Sequence, residues 1–516
     1  MSWQPEVEEL ERRRKFAEAL GGPEAVARHK QSGKNTARER LAMLFDPGTF
    51  RETGMLTGKG EYGEDGTLVK VTPANVIIGR GRIDGRRVAV TADDYTIRGG
   101  SSESTVSDKW VYGERMAYQM RMPLVRLIDS AGGSVRLLEL MGHTKIPGYP
   151  TWPRSKMMAT IPIVGIALGS CAGNGAKRVA WSHFSLMVKG QSQVFAAGPV
   201  VVTPGTGEEL TKEDLGGYQI HTRGSGVIDN EAEDEADAFR QARRFLSYLP
   251  SNVYRLPPVQ PAGDDPERRE EELLTVVPRQ RRRVYRMRKI LELVFDRGSL
   301  FEIGRYNGPA TITMLGRLNG HPVAVMANDP YAAGGTMNRA SAQKMESFVD
   351  LADTFHLPIV NFVDQPGVAI GLEAERQGTM RAAIRALAAI EDSEVPFCAV
   401  IVRRAYGVAG AGHGRVTDIN TRFAWPSANW GSIPLEGGIT AAYRRDLAAA
   451  DDPQARLEEL ERYFSRYTSP FLTAEKFAIQ DIIDPRDTRP LLCEWVEDAY
   501  AVLPEQVGPK GRGYRK

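Results

Sequence analysis

The sequence is poor in the residues that hold metals and disulfides. Its 516 residues include only three cysteines and seven histidines. Cys171, Cys398 and Cys493 lie far apart and form no CxxC pair, which argues against a zinc ribbon and a disulfide framework. The histidines are scattered without metal-ligand spacing. We therefore expect a chain without a metal site, located in the reducing cytoplasm.

Strong net charge and long apolar runs are also absent. Lys and Arg number 67 against 65 Asp and Glu, which gives a formal net charge of +2. This balance favours neither a nucleic-acid partner nor a membrane surface. No stretch reaches the roughly 18 apolar residues of a membrane helix, and no apolar signal region opens the chain. The short basic end, residues 510–516, is interpreted as a solvated tail.

What the sequence does contain is a long internal repeat. GRIDGRRVAVTADDYTIRGG at 81–100 returns as GRLNGHPVAVMANDPYAAGG at 316–335, with ten of the twenty positions identical. A period of 235 residues is the length of a domain, so the repeat indicates a duplication. The first half carries an extra stretch near 60–74. Three further pairs of segments repeat in the same order: 46–58 with 296–308, 122–132 with 357–367, and 161–176 with 395–410.

Each half alternates short apolar runs with amphipathic stretches. VAVTADD and PIVNFVD are typical of strands, and SAQKMESFVDLADTF places apolar residues at helical spacing. Alternating strands and helices predict an α/β fold with a mainly parallel sheet in each half. The segment 248–272, rich first in proline and then in charge, is interpreted as a linker. We place the boundary near residue 265, which gives domains 1–265 and 266–516.

Glycines cluster where the predicted strands end, and ligands of such sheets bind at that edge. Glycine lets backbone N–H groups approach a ligand, and a helix that begins there favours negative charge. The pattern suits stabilisation of an oxyanion, with simple tight turns as the alternative. The glycines are Gly99, Gly100, Gly132, Gly133 and Gly173 in the first half and Gly334, Gly335, Gly367 and Gly407 in the second.

Four other residues beside these glycines invite a functional interpretation. Asp129 and Asp364 end their predicted strands, and we interpret them as caps of the next turn, with general-base catalysis as the alternative. Cys171 is interpreted as a buried small residue rather than a nucleophile. His413 is interpreted as structural, with a place in the site as the alternative.

Several longer motifs together form a family signature. They are KNTARERLAMLFDPGTFRE, GSCAGNGA, VFAAGPVVVTPGTGEELTKEDLGG, SYLPSN, VDQPG, RRAYGVAGA and SPFLTAEKFAIQDIIDPRDTR. With them the chain resembles, from about residue 30 to about residue 490, the carboxyltransferase (β) subunits of biotin-dependent acyl-CoA carboxylases. That group includes the propionyl-CoA and methylcrotonyl-CoA carboxylases.

The resemblance implies two tandem crotonase-like ββα-spiral domains, with acyl-CoA at the first and carboxybiotin at the second. It implies transfer of the carboxyl group to the α (or vinylogous γ) carbon of the acyl-CoA, through an enolate and two backbone oxyanion holes. It further implies a hexamer, a dimer of trimers, with each site between the first half of one chain and the second half of another. Biotin would arrive on a separate α chain that carries the biotin carboxylase and carrier domains.

Residue by residue, the resemblance places the two oxyanion holes after Gly173 and Gly407. Asn174 and Val408 stand where relatives have the second glycine of a pair. Because a branched side chain resists positive φ, either Val408 has an ordinary φ or its hole is altered. The implied catalytic residues are Gly173, Asn174, Val408 and Ala409; the implied substrate-binding residues are Gly99, Gly100, Gly132, Gly133, Gly407 and Ala411; the implied biotin-binding residues are Gly334, Gly335, Pro366 and Gly367.

Ala411 stands where the family has an acidic residue facing the acyl pocket, so the identity of the acyl group stays open.

Two alternatives to carboxylation remain. A decarboxylase subunit would run the same chemistry backwards. A non-catalytic scaffold subunit is the third hypothesis, which the changes at Asn174 and Val408 suggest.

Overall fold

The structure, a computed structural model, describes residues 2–144, 146, 148–281, 283–415 and 421–514. The chain divides into two compact units, residues 1–255 and 256–515, and the division lies inside the proline-rich segment 248–272. We call them the first and the second unit.

The first unit contains one mixed sheet and a separate two-stranded sheet. Its strands are β1 (Arg51–Thr53), β2 (Gly58–Tyr62), β3 (Leu68–Pro73), β4 (Val76–Ile83), β5 (Arg86–Asp93), β6 (Leu124–Ser130), β7 (Ile163–Ala172), β8 (Phe184–Val188), β9 (Gln193–Phe195) and β10 (Asn230–Ala232). Its helices are α1 (Gln4–Glu18), α2 (Pro23–Gln31), α3 (Ala37–Leu44), α4 (Ser107–Gln119), α5 (Arg136–Met141), α6 (Arg154–Met158), α7 (Asn174–Ala180), α8 (Pro199–Thr206), α9 (Lys212–Gly216) and α10 (Glu235–Tyr248).

The second unit repeats this plan. Its strands are β11 (Phe301–Glu302), β12 (Thr311–Leu318), β13 (His321–Asn328), β14 (Ile359–Gln365), β15 (Phe397–Tyr406), β16 (Thr421–Ala424), β17 (Asn429–Gly431) and β18 (Asp481–Ile482). Its helices are α11 (Met287–Val294), α12 (Arg339–Thr354), α13 (Leu372–Arg376), α14 (Thr379–Asp392), α15 (Gly407–Ala411), α16 (Leu435–Ala442), α17 (Arg444–Ala449), α18 (Pro453–Ser465), α19 (Pro470–Ala474) and α20 (Thr488–Val502).

The two sheets correspond strand for strand. The first runs β1-β4-β5-β6-β7-β8-β10 with β9 beside β7, and the second runs β11-β12-β13-β14-β15-β16-β18 with β17 beside β15. In each, the first two pairings are antiparallel and the others parallel. Val76 pairs with Asp93, and 235 residues later Thr311 pairs with Asn328. The predicted duplication of a mainly parallel α/β unit is therefore confirmed.

The almost wholly apolar runs form the central strands. Every residue of β7 and of β14 is buried. Such strands are covered on both faces, which is why they lack the alternation of a half-exposed sheet. Their carboxyl ends lie side by side with those of β5 and β13, since these strands pair in parallel.

The extra stretch of the first half is a β-hairpin. Strands β2 and β3 pair antiparallel as a separate two-stranded sheet, with a register shift near Glu61. Its turn, 63–67, is closed by the Gly63 N–H, which donates to the Thr67 carbonyl at 2.8 Å. Among the described residues of the second unit, no strand pair occupies the corresponding place.

A repeated aspartate fixes the turn between β4 and β5 in the first unit and between β12 and β13 in the second. The carboxylate of Asp46 accepts the two backbone N–H groups of the turn 84–85, at 3.1 and 2.9 Å. The carboxylate of Asp296 accepts those of the turn 319–320, at 3.1 and 2.8 Å. These bonds hold the pairing of β4 with β5 and of β12 with β13, which explains why both halves retain an Asp there.

The described part of the basic tail, residues 510–514, pairs with acidic residues of the protein, so the interpretation of it as solvated was wrong there; residues 515 and 516 lie outside the described ranges. The Lys510 ammonium lies 2.6 Å from a carboxylate oxygen of Glu394, and the Lys510 side chain is only 3% exposed. The Arg512 guanidinium pairs with Glu346 at 2.9 Å and with Asp350 at 2.6 Å. Acidic residues of α12 provide the partners of Arg512, and Glu394, which precedes β15, provides that of Lys510.

His413 lies inside the second unit. Its Nδ1 is 2.6 Å from the Asn361 amide nitrogen on β14, and its buried Nε2 has no hydrogen-bond partner among the described residues. Burial lowers the pKa of His413 from 6.5 to about 4, so the imidazole is neutral near pH 7. These contacts agree with a structural role.

We predict that acid destabilises the protein through His413. The unfolded chain binds a proton on this imidazole below pH 6.5, whereas the native chain does so only near pH 4, so stability falls as the pH is lowered through that window. The loss amounts to at most roughly 3 kcal/mol. Urea unfolding at several pH values measures it, and His413→Gln flattens the profile in that window. The matched control is His143→Gln, because His143 is exposed. An unchanged slope in His413→Gln contradicts the assignment.

Candidate functional site

The predicted glycines of the first unit meet at the carboxyl ends of β5, β6 and β7. Gly99 and Gly100 form a short 3-10 turn just after β5, and Gly132 follows β6. A Cβ on Gly100 would lie 2.6 Å from the carbonyl oxygen of Asp129. No side chain fits at that approach, so this glycine permits the turn to lie against the neighbouring strand. Gly133 comes next along the chain, with open space around it.

Gly173 ends β7 with a left-handed turn from which α7 begins. Its φ is +55°, and its own N–H donates to the Phe195 carbonyl at 3.1 Å. The next three N–H groups, those of residues 174–176, make no hydrogen bond to any described residue. Gly173 is exposed and Asn174 half-buried, so the first of these donors lies next to accessible backbone, whereas Gly175 is buried. The three N–H groups form a concentrated site of positive potential.

The second unit carries the equivalent turn at Gly407. Its φ is +62°, and α15 begins there. The N–H groups of Val408 and Ala409 have no acceptor among the described residues. Ala411 is exposed at the end of this helix.

Asn174 and Val408 both have negative φ. The glycine before each one provides the left-handed turn, so the following residue begins a helix in the ordinary conformation. The replacement of the family's second glycine therefore leaves the backbone donor in place. Of the two readings of Val408, the one with an ordinary φ is correct.

The remaining glycines of the second unit gather at the ends of β13 and β14. Gly334 and Gly335 form a 3-10 turn after β13, and a Cβ on Gly335 would lie 2.7 Å from the carbonyl oxygen of Asp364. Pro366 and Gly367 follow β14 directly. Pro366 and Gly367 thus follow a strand that pairs in parallel with β15, the strand that ends just before Gly407.

The two strand-end aspartates form buried ion pairs, which corrects the interpretation of them as turn caps. Asp129 Oδ2 lies 3.3 Å from Arg40 and 3.5 Å from Lys34. Asp364 lies 2.9 Å from Arg403 and 2.5 Å from Arg404. A fully buried carboxylate needs such partners to stay charged. Cations already hold both carboxylates, which does not favour a general-base role.

Cys171 also has a structural environment. Its thiol is buried and lies 3.3 Å from the carbonyl oxygen of Ile128. Burial raises the pKa of Cys171 well above its usual range, so the thiolate that a nucleophile requires is disfavoured.

A cavity that sequence reasoning missed opens in the first unit beside the Gly99 turn. Its volume is about 1060 Å³, and α1, α2 and β3 form its walls. Arg28, Lys70 and Arg98 line it, and none of them forms an ion pair among the described residues. The three cations come from distant parts of the sequence, so no local motif marked them.

No metal site and no membrane helix was found in the described ranges. No group of three or more His, Cys, Asp or Glu side chains there is arranged to hold a metal ion. Across the same residues, no helix combines the length and the apolar character needed to cross a bilayer.

A family model described as the carboxyl transferase domain matches residues 28–501. The propionyl-CoA carboxylase carboxyltransferase subunit of Haloferax mediterranei is 35% identical over 495 residues, which cover 95% of each chain. The methylmalonyl-CoA decarboxylase subunit alpha of Veillonella parvula is 33% identical and covers 99% of this chain and 98% of its own.

A solved structure agrees with these relatives. The transcarboxylase 12S crystal structure, described as a hexamer with methylmalonyl-coenzyme A bound, matches with a TM-score of 0.87 and 30% identity over 97% of this chain and 96% of that one. The expected fold of two tandem crotonase-like domains is confirmed by this match and by the paired sheets. The chain therefore belongs to the carboxyl transferase domain family, as a carboxyltransferase subunit of the acyl-CoA carboxylase group.

Proposed function

We propose that this chain transfers a carboxyl group from carboxybiotin, attached to a separate carrier, to the α (or γ) carbon of an acyl-CoA. The first domain, 1–265, holds the thioester, and the second, 266–516, holds biotin. One observation carries the proposal: each domain ends a central strand with a left-handed glycine, Gly173 or Gly407, and the backbone N–H groups that follow have no partner within the described part of the chain. Two reacting groups that each develop a negative oxygen require two such sites.

The first domain stabilises the enolate oxygen. Loss of the proton beside a thioester places negative charge on the carbonyl oxygen, and the N–H groups of Asn174 and Gly175 are free to donate to it. The start of α7 adds its own dipole. Donors fixed before the reaction do not have to reorganise when the charge appears, which lowers the barrier. Gly99, Gly100, Gly132 and Gly133 form the adjoining wall.

The second domain offers donors that fit a biotin ureido oxygen. The N–H groups of Val408 and Ala409 have no acceptor among the described residues, Val408 is exposed, and the Cβ position of Gly334 faces open space. Carboxybiotin, when bound, supplies the carboxyl group and the basic ureido nitrogen. The chain itself needs no metal and no acidic or basic side chain for this transfer, in agreement with the ion-paired state of Asp129 and Asp364.

The cationic cavity is suited to the nucleotide end of coenzyme A. Phosphates are bound by positively charged side chains, and Arg28, Lys70 and Arg98 line the cavity without a carboxylate partner. The cavity also includes Gly99, so it continues into the proposed thioester site. A long ligand with phosphates at one end and a thioester at the other matches this arrangement.

The proposed partners are a biotin carboxylase and biotin carrier α subunit and five further copies of this chain. The hexamer described for the related transcarboxylase 12S supports the second part. We propose a cytoplasmic location because the three cysteines are free, which fits a reducing compartment. The identity of the acyl group stays open, because Ala411 lacks the acidic side chain that the family has at this position.

A decarboxylase subunit is the second candidate. The Veillonella parvula methylmalonyl-CoA decarboxylase subunit aligns with nearly the whole chain. The same donors would then stabilise the same enolate in the reverse direction. The scaffold hypothesis loses its main support, because Asn174 and Val408, which stand in place of glycines, have ordinary φ. Their N–H groups have no acceptor among the described residues.

Co-purification tests the function. The chain is expressed with an affinity tag in its native host, and bound proteins are probed with streptavidin. We expect a biotinylated partner, and we expect the complex to incorporate labelled bicarbonate into one member of an acyl-CoA panel only when ATP is present. Release of label without ATP from a carboxylated acyl-CoA favours the decarboxylase. A complex that assembles with its partner but acts on no member of the panel supports the scaffold.

Substituting the glycine before each set of donors tests the two sites separately. Alanine resists a φ near +60°, so Gly173→Ala and Gly407→Ala shift the following N–H groups and lower kcat by roughly 100-fold. Gly48→Ala and Gly298→Ala are the matched controls, since both glycines have a φ of +72° with open space around them. The controls lose about 1 kcal/mol of stability and retain kcat. Equal loss of kcat in all four variants contradicts the proposal.

Removing positively charged side chains from the cavity tests the binding of coenzyme A. Arg28→Gln and Lys70→Gln should each raise KM for acyl-CoA roughly three- to five-fold, because each loses one exposed charge contact to phosphate. The same variants should leave KM unchanged for the acyl-pantetheine thioester, which lacks the nucleotide. Lys59→Gln is the control, since Lys59 is exposed on the same hairpin and does not line the cavity. A rise in KM for both thioesters places the nucleotide elsewhere.

A further inference from the structure

We propose that Arg404 is a positioning residue that holds the glycine turn of the second domain, in place of a backbone hydrogen bond that Pro366 cannot make. The turn, Ala333–Gly335, adjoins the proposed biotin site, so the identity of the affected ligand rests on the proposed function. The positioning itself rests on hydrogen bonds alone.

The two glycine turns share most of their backbone hydrogen bonds. In the first domain, residues 100, 101 and 102 donate to the carbonyls of 97, 98 and 132. In the second domain, the residues 235 positions later, 335, 336 and 337, donate to those of 332, 333 and 367. All six bonds measure between 2.9 and 3.1 Å. The duplicated turns are therefore built in the same way up to this point.

One further bond differs between the turns. In the first domain, the Ala131 N–H donates to the Gly99 carbonyl at 3.0 Å and ties the turn to the end of β6. The corresponding position after β14 is Pro366, which has no N–H. The carbonyl of Gly334 accepts from Nη2 of Arg404 instead, at 2.7 Å. A side chain from β15 thus replaces a backbone donor.

The Arg404 side chain is itself held in place by a buried carboxylate. Its Nε donates to Asp364 Oδ1 at 2.5 Å, and Asp364 is fully buried. The opposite carboxylate oxygen accepts from Arg403 Nε and from the Tyr285 hydroxyl, both at 3.0 Å. A planar guanidinium bound at two of its edges has little freedom, which makes Arg suited to the role.

The first domain does not use this position in the same way. Ser170 corresponds to Arg404, and its hydroxyl bonds to Gln193 at 3.3 Å and to Lys212 at 3.2 Å rather than to the glycine turn. The two domains have therefore diverged in what holds the turn. In the second domain, the glycine turn has the positive charge of Arg404 beside it, and the Arg404 side chain is 24% exposed.

Hydrogen exchange of the backbone amides of residues 329–338 tests the positioning in the full chain. Removing a charge-assisted bond in Arg404→Gln should speed exchange roughly ten-fold. Arg404→Lys should retain part of the protection, because an ammonium reaches one of the two acceptors. Adding Pro366→Ala to Arg404→Gln supplies the missing N–H and should restore protection relative to Arg404→Gln alone, with Pro366→Ala as the reference for the effect of the alanine itself. Unchanged exchange in Arg404→Gln, or no restoration in the double variant, overturns the proposal.

Kinetics of the two half-sites test the consequence. With methylmalonyl-CoA and free biotin as probes, Arg404→Gln should raise KM for biotin roughly ten-fold and leave KM for the thioester unchanged. Ser130→Ala is the matched control, since its hydroxyl donates to the Gly100 carbonyl at 2.8 Å in the first domain; it should affect the thioester alone. Equal effects of Arg404→Gln on both substrates overturn the proposal. A wild-type chain without any carboxyl transfer contradicts the proposed function instead, and the exchange experiment then still decides the role of Arg404.

Discussion

The proposed catalytic machinery depends on one constraint: the first N–H groups of a helix have no partner within the helix. In both domains a glycine with positive φ turns a buried strand directly into such a helix, at Gly173 and at Gly407. The strand fixes where the donors lie, and the glycine fixes their direction. Because such donors belong to the backbone, the proposed sites do not require a particular side chain at Asn174 or Val408.

In the proposed function, the two domains use one scaffold for two different ligands. Their sheets, registers and hairpin anchors coincide, whereas the charges beneath the sites do not. Asp129 is neutralised from α3 and its preceding loop, by Arg40 and Lys34, whereas Asp364 is neutralised from the adjacent strand, by Arg403 and Arg404. The shared elements define the turns, and the divergent ones set the electrostatic environment around them.

Local pattern and internal comparison predicted the fold well. The constant offset of 235 residues located both sheets, because paired strands repeat with the register that the offset requires. The same comparison marked the strand-end glycines. Contacts between distant residues were missed: Arg40 lies 89 residues from Asp129, and Arg512 lies 162 residues from Asp350. Such partners leave no periodic signal, so the aspartates and the basic tail were misinterpreted, and the cavity was not foreseen.

The hairpin of β2 and β3 has a consequence for how the duplicated halves came to differ. Residues 69–73 of this hairpin form one wall of the cationic cavity, and the second unit has no equivalent among its described residues. The hairpin therefore adds a wall to a pocket that α1 and α2 also line, and the described residues of the second unit have no equivalent of this wall. If the two domains bind different ligands as proposed, an added surface element can distinguish the binding sites while the two central sheets keep the same strand order.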